Sequence, residues 1–572
     1  MDVTAAKAVG SGNKRFVAGA ALGYKIAMIS QLAEEQGATR TQSAETSGCA
    51  YDVAIIGGAM SGAATATLLL QQNPALRVLV IERSASFERR VGESTIEIST
   101  YFLTRVLGLA DHLNDKHYVK QGLRFWFSND RVKKFDDCSE IGGRFLSRVP
   151  AFMVDRAVLD EEVLQRAIAL GAECRRPAQL VKVTLNPGGD QSLVVRTPDG
   201  AEEPLRARWV VDASGVRALL ARQEGWHRPN EAHPTAAVWS RWTGVKNLDG
   251  LELQRRYPEW AAASYGMRHM ATNHLFGDGW WSWWIPLKGG DVSIGLVYDQ
   301  RLVSLPPGAS MGERLRSFLV ENHPMAAELL EKAHWGENDV HYRRNLPYYS
   351  TTYAGDGFSL VGDAAGFIDP FYSPGLDWMS YTASATADLI LAERAGQKDL
   401  PDRLARHNKD YRRCYQRWFE AIYQDKYEYM GDFDLLRVAF LFDLGLYYLF
   451  VASQPFRHGA KMLIRPIYSL PPSTPFFYLM RLYNRRCAAM ARVRRARGTH
   501  GRNNAGQRFL FPGFSFSVGS SKPLFKALGS WLWLEVTEGW RSWGRKRTQD
   551  HQAISQPVSD LVAGARSKVS AA

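Results

Sequence analysis

From residue 51 onward, short apolar runs alternate with glycine-rich breaks, a pattern that predicts strand, tight loop and helix in close succession. Residues 52–56 form an apolar run, 57–62 a glycine-rich turn, and 63–70 are good helix formers. A second strand at 77–81 ends on Glu82. Helical spacing covers 157–170, and a strand-rich stretch follows over 179–211, cut by the turn signals Asn186-Pro187-Gly188-Gly189 and Pro198-Asp199-Gly200. A further strand and loop at 357–366 lead into a helix over 375–395. Beyond residue 400 the chain turns helical and aromatic. Residues 438–452 are apolar apart from Asp443, a run too short for a bilayer crossing. Pro471, Pro472 and Pro475 mark a connection before an arginine-dense block at 481–508. The organisation expected is a weakly ordered extension at 1–50, an α/β domain at 51–400, a helical aromatic-rich region at 401–544 and a frayed tail at 545–572. The apolar stretch 16–22 in the extension is short, is followed closely by Lys25, and lacks a cleavage region, so it predicts neither a span nor a signal.

Composition narrows the class. The 572 residues are 45 % hydrophobic, 23 % charged and 12 % aromatic, which excludes a disordered or repetitive chain and a small binding module. Cys49, Cys138, Cys174, Cys414 and Cys487 are odd in number and widely spaced; they make neither a disulfide scaffold nor a metal site, and point to a reducing, cytoplasmic compartment. The formal charge is +13, and residues 481–508 hold nine arginines and no acid, which leaves +4 for the remainder. The excess is therefore local, and an acidic neighbour is expected there.

Gly57, Gly58, Ala59, Ser61 and Gly62 occupy the place of a G-x-G-x-x-G fingerprint, directly after a strand and at the start of a helix. Such a helix end offers unpaired N–H groups to a pyrophosphate, and glycine lets the backbone approach it. Ala59 stands for the middle glycine. Glu82, twenty residues beyond Gly62, is placed to accept hydrogen bonds from ribose hydroxyls. The bland reading, a turn that packs helix on strand, loses ground to two later segments, 209–215 and 360–366, each a strand ending in a small-residue turn. These resemble the later motifs of FAD-dependent monooxygenase-type flavoproteins, in which the second Asp, here Asp363, approaches the ribityl chain; Arg156 matches that group's cofactor-proximal arginine. The resemblance implies bound FAD on a Rossmann-like, glutathione-reductase-like α/β domain with a mixed β-sheet substrate layer and a helical carboxy-terminal region.

Three local features resemble flavin-dependent halogenases, the family that includes tryptophan, phenol and pyrrole halogenases. Gly92-Glu93-Ser94-Thr95-Ile96 is similar to the G-E-x-T-I-P segment, with Glu97 in place of proline; Trp281-Ser282-Trp283-Trp284-Ile285-Pro286 matches W-x-W-x-I-P; and Lys120 has the spacing of the catalytic lysine. The resemblance implies that Trp281 and Trp283 bar substrate from the flavin while halide, oxidised to hypohalous acid, passes to Lys120, which holds it by hydrogen bonding or as a haloamine. Glu93 and Ser94 join the cofactor set. Ser373 and Gly375 fall where that family binds halide on backbone amides, but Pro374 between them has no N–H. Tyr372 replaces the glutamate of tryptophan-specific members, so the expected substrate is an aromatic, phenolic, pyrrolic or polyene secondary metabolite, free or bound to an acyl carrier protein. The rival is a flavin hydroxylase or oxidoreductase on the same frame without halide use; a non-catalytic flavoprotein is the reading from another class. No second dinucleotide fingerprint is present, so a separate flavin reductase is expected. The aromatic carboxy-terminal third, with Trp531, Trp533, Trp540 and Trp543, leaves core packing, a substrate cover and a peripheral membrane contact open. Nucleic acid is not expected, because no recognition motif accompanies the charge.

Overall fold

The computed structural model describes residues 51–516 and 521–543; the expected extension at 1–50, the tail at 545–572 and Cys49 lie outside them. In chain order, the elements that carry the site begin with β1 (Tyr51–Ile56), α1 (Met60–Gln72), β2 (Val78–Ile81), β3 (Leu123–Phe127), β4 (Ser139–Gly143), α2 (Arg156–Ala169) and β5 (Glu202–Asp212). They continue with β6 (Thr272–Gly277), β7 (Trp280–Pro286), β8 (Val292–Asp299), β9 (Phe358–Leu360), α3 (Gly375–Arg394), α4 (Phe433–Leu446), α5 (Thr474–Ala496), β10 (Arg508–Phe511) and α6 (Ser521–Thr537).

Runs buried on both faces, at 53–56, 78–81, 209–212 and 358–360, make β1, β2, β5 and β9 parallel neighbours in the order β9-β5-β1-β2. Ile56 pairs with Ile81 and Asp212, and Asp212 with Leu360. All four strands therefore end at one edge, which brings the three motif loops together where parallel sheets bind their ligands. The α/β class and these strands are as expected, but α1 starts at Met60, inside the glycine loop, rather than at residue 63. A Cβ on Gly62 would lie 1.9 Å from the carbonyl oxygen of Gly57, so only glycine lets the first turn fold back on the loop.

The second, mixed sheet contains β8-β7-β6-β3-β4-β10 as consecutive neighbours. β10 belongs to the carboxy-terminal stretch read as helical; it pairs in parallel with β4, Phe509 opposite Ile141. Its partner lies more than 360 residues earlier in the chain, so no local pattern predicts the pairing.

The apolar run at 438–452 also differs from expectation. α4 continues through further helical turns as one helix over Phe433–His458, the one helix among the described residues that is long and apolar enough to cross a membrane. Its most apolar 18-residue window is 72 % buried within the protein, so it packs as a core helix. Pro475 sits in the first turn of α5, where the missing N–H costs nothing.

The arginine block lies on and just beyond α5, and most of it is not free charge. Arg481 pairs with Glu420, Arg486 with Glu535, Arg492 with Glu428, Arg495 with Asp278, and Arg502 with Glu538. Arg494, 1 % exposed, donates to Asp432 at 2.6 Å and to Glu538. Asp432 in turn caps α4 by accepting the N–H groups of Asp434 and Leu435. Removing the cation would strand two buried carboxylates. Arg494→Met is expected to cost about 3–5 kcal/mol, read as a lower urea midpoint; an unchanged midpoint would contradict this role.

Candidate active site

A cavity of about 670 Å³ opens at the carboxyl edge of the first sheet, lined by the glycine loop, Glu82, Gly92–Ser94, Arg156, Asp363 and the 373–375 loop. Gly57 adopts φ +102°, and a Cβ there would stand 2.5 Å from the carbonyl oxygen of Ala213 in the second motif. The third motif closes on the first at Gly362, where a Cβ would come within 2.3 Å of Ser61 Oγ. Gly58 donates its N–H to Glu82 Oε2 at 2.8 Å, and Ser84 donates to Oε1 at 2.9 Å. Glu82 thus orders the loop as well as facing the cavity.

Arg156 begins α2, with Asp155 as cap accepting from the N–H of Ala157. Its guanidinium is held by Asp160 at 2.9 and 3.1 Å and donates to the carbonyl of Val91. Glu93 Oε1 accepts from Arg241 Nε and Nη2 at 3.0 and 2.9 Å, whereas buried Oε2 has no partner among the described residues. Burial raises the pKa of Glu93 against the pull of Arg241. The side chain of Asp363 takes no hydrogen bond from a described residue, and burial raises its pKa against Arg156 and Arg343. An orphaned carboxylate oxygen, a glycine cradle and a helix start aimed into one space suit a dinucleotide with many hydroxyls and phosphates.

Lys120 opens on a different cavity, of about 110 Å³, lined by aromatic side chains including Tyr372, Tyr381, Phe440 and Tyr447. Only 2 % of Lys120 is exposed. Its Nζ donates to Ser94 Oγ at 2.8 Å and to the carbonyl of Thr95 at 3.0 Å, and no described carboxylate lies within ion-pair distance. Burial pushes its pKa down to about 8, opposed by Glu97 and Asp377. Residues 92–97 cross between the cavities: Gly92, Glu93 and Ser94 line the first, and Ile96 and Glu97 the second. Pro374 and Trp418 border both.

Trp281 and Trp283 wall the larger cavity and do not line the smaller. Trp281 Nε1 donates to Tyr427 at 2.8 Å, and Tyr427 donates to Asp369, which fixes the indole against the loop before α3. Trp283 lies across Gly295, where a Cβ would meet its ring at 2.1 Å. Their ring centroids are 6.0 Å apart, and Phe371 packs on Trp281 at 5.2 Å.

The anion loop differs from the sequence reading. Tyr372 and Ser373 take φ of +70° and +57°, unusual for residues with side chains. The N–H of Ser373 donates to the carbonyl of Pro370 at 2.9 Å, so its amide is spent and only its hydroxyl remains available. The free donors are the first amides of α3, Gly375 and Leu376, both of which border the cavity. Tyr372 is pinned from behind: its hydroxyl donates to Asp443 Oδ2 at 3.1 Å, and Lys426 Nζ lies 2.7 Å from that same oxygen.

Several residues of the smaller cavity are absent from the sequence reading or carry no role in it. Asp377 accepts from the N–H of Ser99 at 2.8 Å and from Tyr447 at 3.1 Å, and burial raises its pKa to about 7. Glu97, legible only as a departure from proline, accepts from Tyr448, and burial raises its pKa also. Asp443 had one signal, a lone charge in an apolar run.

A family model described as FAD binding domain matches residues 50–257. "Flavin-dependent halogenase chlA" of Dictyostelium discoideum is 26 % identical over 434 residues, covering 70 % of this chain and 69 % of its own. "Flavin-dependent halogenase armH3" of Armillaria mellea is 24 % identical over 387 residues, 65 % of this chain and 73 % of its own. Among solved structures, halogenase PltM in complex with phloroglucinol and FAD superposes with a TM-score of 0.65 at 19 % identity, covering 84 % of this chain and 96 % of that one. CmlS, a flavin-dependent halogenase, gives 0.54 at 21 % identity, covering 84 % of this chain and 76 % of its own. With an FAD binding domain, the tryptophan wall and a lysine buried behind it, the chain is an FAD-dependent enzyme similar to the flavin-dependent halogenases.

Proposed function

We propose that the protein halogenates a hydroxylated aromatic ring, and that Lys120 carries the transfer. The observation behind this reading is that a buried, unpaired lysine faces an aromatic cavity separate from the dinucleotide cavity, with Trp281 and Trp283 on the far side. Bound FAD, once reduced, supplies with oxygen the oxidation of halide to hypohalous acid. Gly57, Ala59 and Ser61 would hold its pyrophosphate on the start of α1, while Gly58, bonded to Glu82, and Gly62, packed on Gly57, shape the loop behind them; Glu82, Arg156 and Asp363 face its sugar and ribityl hydroxyls; Glu93 and Ser94 close the remaining wall. Gly375 and Leu376 offer the halide two amides at a helix N-terminus. Ser373 adds a hydroxyl. The indoles keep the ring away from the flavin, and Pro374 marks the boundary the oxidised halogen has to cross.

At Lys120 two N–H bonds go to Ser94 and Thr95, so the ammonium keeps a third to hold hypohalous oxygen with the halogen turned towards the ring. The substrate class follows from the opposite wall. Glu97 and Asp377 accept hydrogen bonds from phenolic hydroxyls and disfavour the carboxylate of a free amino acid. A separate flavin reductase supplies the reduced cofactor. Because six of the nine arginines at 481–508 are spent on internal acids, they do not favour delivery by an acyl carrier protein.

A second reading, hydroxylation without halide, is favoured by Pro374 alone, which removes an amide from the anion loop. Incubation with reduced FAD, oxygen and chloride or bromide, with a resorcinol probe followed by mass spectrometry, separates the two. Halogenated product is expected, and Lys120→Ala should lower it by about 100-fold or more while reduced flavin is still consumed. Oxygen insertion without halogen, or full product from the variant, would overturn the proposal.

The amine fixes the pH dependence. Lys120 is protonated below about 8 and loses its third donor above it. Product formation should therefore hold up to that pH and fall about tenfold per unit beyond it; a rate that climbs through the same range would show that the neutral amine is the working form.

A further inference from the structure

Helix α6 wears its apolar face outward. Phe525, Leu532, Trp533 and Val536 recur at helical spacing, and Trp540 and Trp543 follow just past its end; each is between 52 % and 73 % exposed. The opposite face is anchored. Ala527 and Leu534 are buried, Leu524 lies where a Cβ on Gly445 would meet it at 2.4 Å, and Glu535 binds Arg486. The helix is thus held in place by α4 and α5 with its greasiest side turned to solvent, an arrangement that costs free energy unless something covers it.

Charge selects the cover. Lys522 and Lys526 are exposed beside the stripe, and Arg541 lies between the two exposed tryptophans. The acids of this segment, Glu535 and Glu538, are committed to Arg486 and Arg494, so no exposed acid interrupts the face. Aromatic rings in the centre with free cations beside them match an anionic lipid surface, where tryptophan settles at headgroup level and lysine meets phosphate. A second copy of this chain would bring the same cations face to face.

We propose that α6 and the turn after it form a monotopic docking surface for anionic bilayers. The position has a consequence for supply. Trp531 packs edge-on against Phe442 of α4, with ring centroids 6.2 Å apart, and the same helix presents Phe440 and Asp443 to the cavity of Lys120. One layer of helix therefore separates the lipid-facing stripe from the aromatic cavity, which suits a ring compound that partitions into membrane.

The test is co-sedimentation of the full chain with vesicles of equal parts phosphatidylcholine and phosphatidylglycerol, and with pure phosphatidylcholine. Wild type should sediment with the anionic vesicles. Trp533→Ser combined with Val536→Ser, both exposed and therefore neutral for folding, should weaken the partition by about tenfold or more. Lys522→Gln with Lys526→Gln should reduce the preference for anionic over neutral vesicles. No sedimentation of wild type, or equal sedimentation of the serine variant, would overturn the proposal. So would a dimer in light scattering that the serine variant dissolves, which would assign the face to a second copy. Halogenation of a water-soluble phenol is a separate readout that stays unchanged in the serine variant whether or not vesicles bind.

Discussion

A lysine buried without a carboxylate partner is expensive, and in this protein two hydrogen bonds offset the cost. Lys120 Nζ rests on Ser94 Oγ and the carbonyl of Thr95, and both acceptors belong to the strip of chain that also walls the dinucleotide cavity. Ser94 is tied in turn to Thr272 on β6. The ammonium, the cofactor wall and the second sheet are therefore fixed by one small network. Held so, the amine keeps a depressed pKa near the working range and a fixed direction into the aromatic cavity. A longer tether or an ion pair would give up one or the other.

The same economy explains what was legible in the chain. The glycine loop, Glu82, Arg156, the two later turns and the W-x-W-x-I-P strand depend on local spacing, although the helix after the loop begins at Met60, three residues before that spacing places it. What escaped depends on distant partners. Asp377 has meaning only once Ser99 and Tyr447 are folded against it, and Asp443 only beside Tyr372, Lys426 and Tyr483. β10 is a strand because β4 offers it an edge. Ser373 looked like an amide donor, but the left-handed turn at 372–373 directs its N–H to Pro370.

The arginine block shows how charge counted along a chain misleads. Nine cations without a local acid suggest a basic patch, yet six of them find acids in Asp278, Glu420, Glu428, Asp432, Glu535 and Glu538, scattered over some 260 residues. Folding converts the apparent patch into the frame that fixes α4, α5 and α6 to each other. The apolar composition of the same region divides between a buried helix long enough to span a bilayer and an exposed helix that cannot.

Halogenation requires halide to bind beside the flavin although Pro374 has removed one of the loop's amides. A crystal of the FAD complex soaked in bromide, measured at the bromine absorption edge, tests it directly. An anomalous peak is expected against the amides of Gly375 and Leu376, next to Ser373 Oγ; a well-ordered loop with bound FAD and no anomalous density there would rule out halide binding at this loop.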